Sequence, residues 1–226
     1  MKILLVNPNE NKIISQNFLQ RAKYLLKKQC LENIEVHAVN ASSNVAVIIT
    51  DADVKTAEAA VIKLVDDCID KYDNIIISAF SDPGLTALKK KYSEKIHGMG
   101  YASIDMAYRM SRHFAIMTGQ LSIVDNIYRQ VKEYNMGGHF DGVISIDRTY
   151  EETLYNKEAL YEIYHNTAKE FINKHGTEVI ALGGAVFTGW SERLSEHLGI
   201  KVIEGLDAAL YSCICHEPDV RSAIKI

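Results

Sequence analysis

The feature that most constrains this chain is an internal repeat. The segment Asp73-Asn74-Ile75-Ile76-Ile77-Ser78-Ala79-Phe80 is followed by a turn, a helical stretch and then Lys95-Ile96-His97-Gly98. Downstream, Thr177-Glu178-Val179-Ile180-Ala181-Leu182-Gly183-Gly184 is followed by a turn, a helical stretch and Lys201-Val202-Ile203-Glu204-Gly205. Another helical stretch follows each glycine, Ile104-Asp105-Met106-Ala107-Tyr108 in one copy and Leu206-Asp207-Ala208-Ala209-Leu210-Tyr211 in the other. The runs Met1 to Pro8 and His113 to Gly119 open the two copies. Such a chain should form two similar lobes, 1–112 and 113–226, related by a pseudo-two-fold axis with a cleft between them. The last helix, 205–226, has the option of packing back on the first lobe.

Within each copy, short aliphatic runs alternate with stretches of helical period. The strand candidates are Ile3 to Val6, Ile34 to Val39, Ile75 to Ser78, Phe114 to Met117, Val143 to Ile146, Val179 to Leu182 and Val202 to Ile203. Helices are expected near 13–30, 54–71, 84–92, 101–112, 121–135, 155–175, 190–198 and 205–215. In the sixth of these, Leu160, Tyr164, Thr167, Ala168, Phe171 and Ile172 recur at spacings of three and four, as one buried face requires. Strands this uniformly apolar are covered on both sides, so the fold class is α/β with mostly parallel sheets flanked by helices. Ligands of open α/β sheets bind at the carboxyl ends of the strands. The loops after Val6, Ser78, Met117 and Leu182 should therefore face the cleft. The stretch 40–53 is the longest irregular piece and reads as a lid or an interface loop.

At 226 residues, 47% of them apolar and 24% charged, the chain has ample material for a core and is neither disordered nor fibrous. A formal charge of −4 offers no extended basic field, so no nucleic-acid partner is expected. No apolar run approaches the roughly 20 residues of a membrane span. Ile3-Leu4-Leu5-Val6 is too short for a secretory leader, so a cytoplasmic location without a membrane partner is expected. Cys30, Cys68, Cys213 and Cys215 are too few and too scattered for a disulfide framework.

Five segments at strand ends carry a family likeness: Val6-Asn7-Pro8-Asn9, Phe80-Ser81-Asp82-Pro83-Gly84-Leu85, Gly98-Met99-Gly100 through Ala107, Phe114-Ala115-Ile116-Met117-Thr118, and Leu182-Gly183-Gly184-Ala185. In these segments and their order the chain resembles the aspartate/glutamate/hydantoin racemase superfamily, most closely its hydantoin and allantoin racemase branch. The resemblance implies a cofactor-independent isomerase scaffold and a small anionic or imide-like ligand. It also implies a homo-oligomer. Asn7, Asn9, Ala79, Phe80, Ser81, Thr118, Gly119, Gly183, Gly184 and Ala185 are then the ligand-contacting positions. Members of this family use two cysteine thiols of similar pKa on opposite sides of one carbon, one removing and one delivering a proton. At those two positions the chain has Ala79 and Gly184, neither of which can carry a proton. The two-thiol mechanism is therefore not expected. The decarboxylase branch, which keeps the second cysteine, does not fit either.

If the chain is catalytic, the base must be another group, and Asp82, Tyr101 and His97 are the candidates in that order. Asp82 also reads as a cap for the helix that Pro83 would open, and Tyr101 as a packing aromatic. Gly98-Met99-Gly100-Tyr101-Ala102-Ser103 falls short of a dinucleotide fingerprint because its third position is serine and it does not follow the first strand. His139 and Asp141 lie in a glycine-rich turn without further ligands at metal-binding spacing, so no metal is expected. Lys89-Lys90-Lys91 reads as a solvated helix end that complements the helix dipole. Three functions stay open: a small-molecule enzyme acting on an amino-acid-, hydantoin- or dicarboxylate-like ligand; a non-catalytic binding descendant; and a lyase or decarboxylase working by electrostatic stabilisation.

Overall fold

Each half of the chain folds around a four-stranded, wholly parallel sheet. The structure is a computed structural model that describes residues 1–215. The strands are β1 (Lys2–Asn7), β2 (Glu35–Asn40), β3 (Asn74–Ile77), β4 (Ile96–Gly98), β5 (Phe114–Thr118), β6 (Phe140–Ser145), β7 (Val179–Gly183) and β8 (Lys201–Glu204). The helices are α1 (Lys12–Lys28), α2 (Asp51–Cys68), α3 (Leu85–Tyr92), α4 (Met99–Met110), α5 (Val124–Glu133), α6 (Tyr150–Tyr155), α7 (Lys157–His175), α8 (Ser191–Leu198) and α9 (Gly205–Cys215). The expected helix 205–226 is thus described as far as Cys215, and its remainder lies outside the described residues. The chain divides into two units, one of Met1–Ala102 with the helix from Leu206, the other of Ser103–Gly205.

The strand orders are β2-β1-β3-β4 and β6-β5-β7-β8, the same order for equivalent members of the repeat. The α/β class with two similar lobes is thereby borne out. Parallel strands require a crossover between neighbours, and the helical stretches of the sequence supply it. Asn11 starts α1 by accepting the amides of Ile13 and Ile14, and Thr50 with Asp53 forms a reciprocal cap on α2. The stretch 41–49 is tied back to the turn after β1. Ala41 N–H donates to Asn7 O, Glu10 N–H to Val45 O, and Asn44 N–H to the Glu10 carboxylate.

The core of the first unit joins Leu4, Val6, Ile75, Ile77 and Ile96 of the sheet to Val61, Val65 and Leu88 of the helices. In the second unit Ala115, Met117, Ile180 and Leu182 meet Leu160, Tyr161, Tyr164, Phe187, Trp190 and Leu194. Leu160, Tyr164 and Ala168 are buried on α7, with Phe171 and Ile172 packed against the same cluster, so the sequence period names the correct face. Each fully buried aliphatic or aromatic side chain contributes about 1.5–3 kcal/mol. The expected single helix over 155–175 is preceded by a separate short one. Thr149 and Glu152 cap α6 reciprocally, a signal that the apolar period alone does not carry.

α9 packs within the first unit. Arg21 of α1 forms a two-pronged ion pair with Asp207 (Nε to Oδ1 3.2 Å, Nη2 to Oδ2 2.6 Å), and Cys213 is fully buried. Burial pushes the Cys213 thiol well above its ordinary 9.0 and the phenols of Tyr161 and Tyr164 above 10.0. The unfolded chain releases these protons first, so their stabilisation is complete below pH 9 and is lost as pH climbs from there. Lys157, lowered from 10.5 by burial, acts in the opposite direction. Urea midpoints from about pH 8 to about pH 10.5 should fall, and Cys213→Val should flatten the first part of that fall. An unchanged slope in that variant would assign the alkaline loss to other groups.

Candidate functional site

The carboxyl ends of parallel strands leave backbone amides and short side chains at the start of each following turn. In the first unit, the turn after β1 is built from its own asparagines. Asn7 is 1% exposed; its Nδ2 donates to Ser15 Oγ (2.9 Å) and Asn11 O (3.1 Å), while its Oδ1 accepts the Asn9 amide (3.2 Å). Asn9 Oδ1 accepts the Asn11 amide (3.0 Å), and Asn40 Nδ2 donates to Asn9 O (2.7 Å). These side chains set the shape of the turn.

The turn after β3 carries Ala79, Phe80 and Ser81, all half-buried. It closes through Asp82 N–H to Ala79 O (3.2 Å) and Leu85 N–H to Asp82 O (3.1 Å). Asp82 is buried with φ +48°, a left-handed conformation uncommon for a residue with a side chain. The conformation turns its carboxylate away from α3, which begins at Leu85 after Gly84 without a side-chain cap. Instead Oδ1 accepts the Gly100 amide (3.0 Å) and Oδ2 the Tyr101 amide. Asp82 is a cap, as one reading held, but of α4 rather than the helix after Pro83. Gly98 makes this possible, because a Cβ there would collide with the Asp82 carboxylate and Leu85. The glycines of Gly98-Met99-Gly100 thus serve an aspartate from a neighbouring turn.

Tyr101 is half-buried, with Lys89 Nζ 4.3 Å from its ring centroid, and it packs on the first unit's core. His97 is 5% exposed and held at both ring nitrogens, Nε2 with Asn74 Oδ1 and Nδ1 with Ser212 Oγ, each at 3.0 Å. Asn74 opens β3, whereas Asp82 follows its other end. His97 and Asp82 are therefore tied to opposite ends of β3.

In the second unit, Thr118 ends the central strand with Ser145 and Gly183 as its register partners. Thr118 is fully buried, and its hydroxyl has no hydrogen-bond partner among the described residues. A buried hydroxyl left so costs about 1–3 kcal/mol, which a polar ligand or water would recover. At Gly119 a Cβ would lie 3.1 Å from Val186 Cγ2, and its carbonyl accepts the Tyr164 hydroxyl (3.2 Å), itself in contact with Thr153 Oγ1 (3.3 Å). Gly183 is buried, while Gly184 and Ala185 are half-buried. Gly184 has φ +153°, and a Cβ there would meet only Val186 Cγ2, at 3.8 Å. The turn has room for a side chain but a backbone that L-residues rarely adopt.

Three features were not singled out from sequence. Glu204, at the end of β8, is 5% exposed and accepts the Gly189 amide and the Ser191 hydroxyl (2.9 Å). Lys157 donates to Thr188 O, and the single tryptophan, Trp190, is buried with its Nε1 unpartnered among the described residues. A glutamate directly after the apolar pair Val202-Ile203 was the available signal. Elsewhere, His139 stacks on Tyr108 (centroids 4.4 Å apart), and Asp141 accepts from Thr177 Oγ1 (2.7 Å) and pairs with His113 (3.0 Å). Among the described residues no group of three or more His, Cys, Asp or Glu is placed to hold a metal ion.

Two units, each built on a wholly parallel sheet with short turns of small and polar residues after its first and third strands, define an open α/β class whose ligand positions lie at strand ends. Residues 3–213 match the family model described as Asp/Glu/Hydantoin racemase, and the chain belongs to that family. It is 28% identical over 214 residues to a hydantoin racemase of Rhizobium meliloti, covering 93% of this chain and 86% of the relative. It is 25% identical over 211 residues to a hydantoin racemase of Paenarthrobacter aurescens, covering 92% and 88%. The fold matches the solved allantoin racemase from Klebsiella pneumoniae with a TM-score of 0.83 at 20% identity, covering 94% of this chain and 86% of that one.

Proposed function

We propose that this chain binds a small hydantoin-, amino-acid- or dicarboxylate-like molecule at the carboxyl-end turns of its sheets. On this reading Ala79 and Gly184 stand where cysteine-bearing relatives carry their two thiols, so proton transfer by a thiol pair is absent. The observation that carries the reading is Thr118, a fully buried hydroxyl without a partner among the described residues, beside the Gly183-Gly184 turn. Amides and hydroxyls at such positions suit a carboxylate or a ring carbonyl, whose lone pairs they can satisfy together. Asn7, Asn9, Phe80, Ser81, Gly119 and Ala185 complete the contacting turns.

Binding without turnover is the second reading, and one observation favours it. Both Asp82 oxygens accept backbone amides, and both His97 nitrogens have partners. Taking up a substrate proton at either group would compete with contacts that the fold itself uses.

Calorimetric titration with hydantoin, allantoin, malonate, aspartate and glutamate tests the proposal, with Thr118→Val as the variant. Removing an unpartnered buried hydroxyl should stabilise the free protein by on the order of 1 kcal/mol, about 2–4 °C in Tm for a chain of this size. The same change should weaken the bound probe about tenfold, because the ligand loses its hydrogen bond. A Thr118→Val protein that binds every probe as tightly as the original would sink the reading. Uniform absence of binding in the folded original would do the same.

A further inference from the structure

The turn from Gly184 to Trp190 is seated on the core by Val186, Phe187 and Trp190, while its backbone ends are held by polar contacts. Gly184 (φ +153°) and Gly189 (φ +85°) both use backbone conformations that glycine adopts and that fix nothing by themselves. Its internal bonds are Phe187 N–H to Gly184 O, Thr188 N–H and Oγ1 to Ala185 O, and Trp190 N–H to Phe187 O, all of them local. Long-range polar contacts add to these local ones. The Glu204 carboxylate takes the Gly189 amide and the Ser191 hydroxyl at one end, and Lys157 Nζ takes the Thr188 carbonyl. The Lys157 ammonium also lies close enough to Glu204 for their charges to interact, and 5.7 Å from the Trp190 ring centroid.

The first unit solves the same problem from the other side. There the carboxylate sits on the turn itself, at Asp82, and reaches the amides of Gly100 and Tyr101 just beyond β4. In the sequence repeat the counterpart of Asp82 is Phe187, and the counterpart of Glu204 is His97, which bonds to Asn74 and Ser212 instead. Two buried carboxylates at non-equivalent positions thus tie the turn after the third strand to the end of the fourth. A shared ancestral residue does not account for that; a shared requirement does.

We propose that Glu204, with Lys157 as its counter-charge, is the positioning residue that latches the Gly184 turn, as Asp82 latches the Ala79 turn. The inference rests on the reading that the Gly184 turn contacts the ligand, but the latch itself can be measured without one. Charge-assisted hydrogen bonds are about twice as strong as neutral ones, so losing two of them should open the turn selectively. In Glu204→Ala, amide hydrogen exchange of peptides spanning 183–191 should accelerate at least about tenfold while peptides of β5 and α7 keep their protection. The emission of Trp190, the one tryptophan, should move to the red as its ring gains solvent. Glu204→Gln, which still accepts the Gly189 amide, should restore most of the protection. Lys157→Met, which frees the Thr188 carbonyl, should open the same peptides and decides the matter if Glu204→Ala does not fold.

Unchanged exchange at 183–191 in the alanine and methionine variants, or a uniform loss across the unit, would overturn the latch. Hydantoin titration separates the two ideas. Selective opening with no hydantoin binding by the original protein leaves the latch standing and removes the ligand reading. Hydantoin bound equally well by the original and by an opened Glu204→Ala removes the positioning role.

Discussion

Incubated in deuterated buffer with aspartate, glutamate, a hydantoin or allantoin, this protein should exchange no α-proton at a rate comparable to a cysteine-bearing racemase. Abstraction at one face of the carbon and delivery at the other each need a titratable group. General acid–base assistance contributes roughly 10²–10⁴-fold per group, so losing both leaves what amide and hydroxyl contacts supply. On the proposed correspondence those groups would stand at Ala79 and Gly184, whose methyl and hydrogen offer nothing to titrate. The carboxylate of Asp82 accepts the Gly100 and Tyr101 amides, and protonating it would weaken the cap on α4. Proton NMR of the substrate's α-signal over hours measures this directly. Rapid loss of that signal, abolished by Asp82→Asn or Tyr101→Phe, would show that one of those groups works as a base.

Much of the fold is legible in the sequence because it rests on periodicity. Short β-branched runs such as Ile75-Ile76-Ile77 alternating with helical stretches read as buried parallel strands, and the repeat carries the same strand order into both units. The α7 face is legible for the same reason. What periodicity cannot show is which polar groups meet across turns. Asp82 followed by Pro83 has the local signature of a helix cap, and it is one, but its partner is α4, eighteen and nineteen residues on. The choice depends on a positive φ and on the missing Cβ of Gly98, and neither appears as a pattern. Likewise Glu204 reads as a polar strand end, and Lys157 as one lysine in a helix start. Only the tertiary fold brings the two to the Thr188–Ser191 segment, to two backbone groups and the Ser191 hydroxyl. His97 follows the same logic, since its commitment to Asn74 and Ser212 joins segments far apart in the chain.

Replacing Ala79→Cys and Gly184→Cys together should raise α-proton exchange on at least one of these substrates by roughly 10²–10⁴-fold. The two positions are not equally ready. Ala79 is half-buried, without a positive φ, and accepts a thiol in place of a methyl hydrogen at little cost. Gly184 has space, since its nearest neighbour would lie 3.8 Å from a new Cβ, but its φ of +153° must relax before a cysteine fits. Holding an L-residue in such a region costs on the order of 1–3 kcal/mol, so the double variant should melt a few degrees lower. The Glu204 and Lys157 contacts resist that relaxation, which makes Gly184→Cys the less active of the two single variants. Stereochemistry separates the roles further. A lone thiol returns a proton only to the face it took it from, so Ala79→Cys alone should deuterate the substrate with retained configuration. Inversion should require both changes. Inversion by Ala79→Cys alone would place a working acid elsewhere on the Gly184 side. A double variant that binds hydantoin and deuterates it only with retained configuration would mean that the relaxed Gly184 turn holds its sulfur out of reach of the ligand.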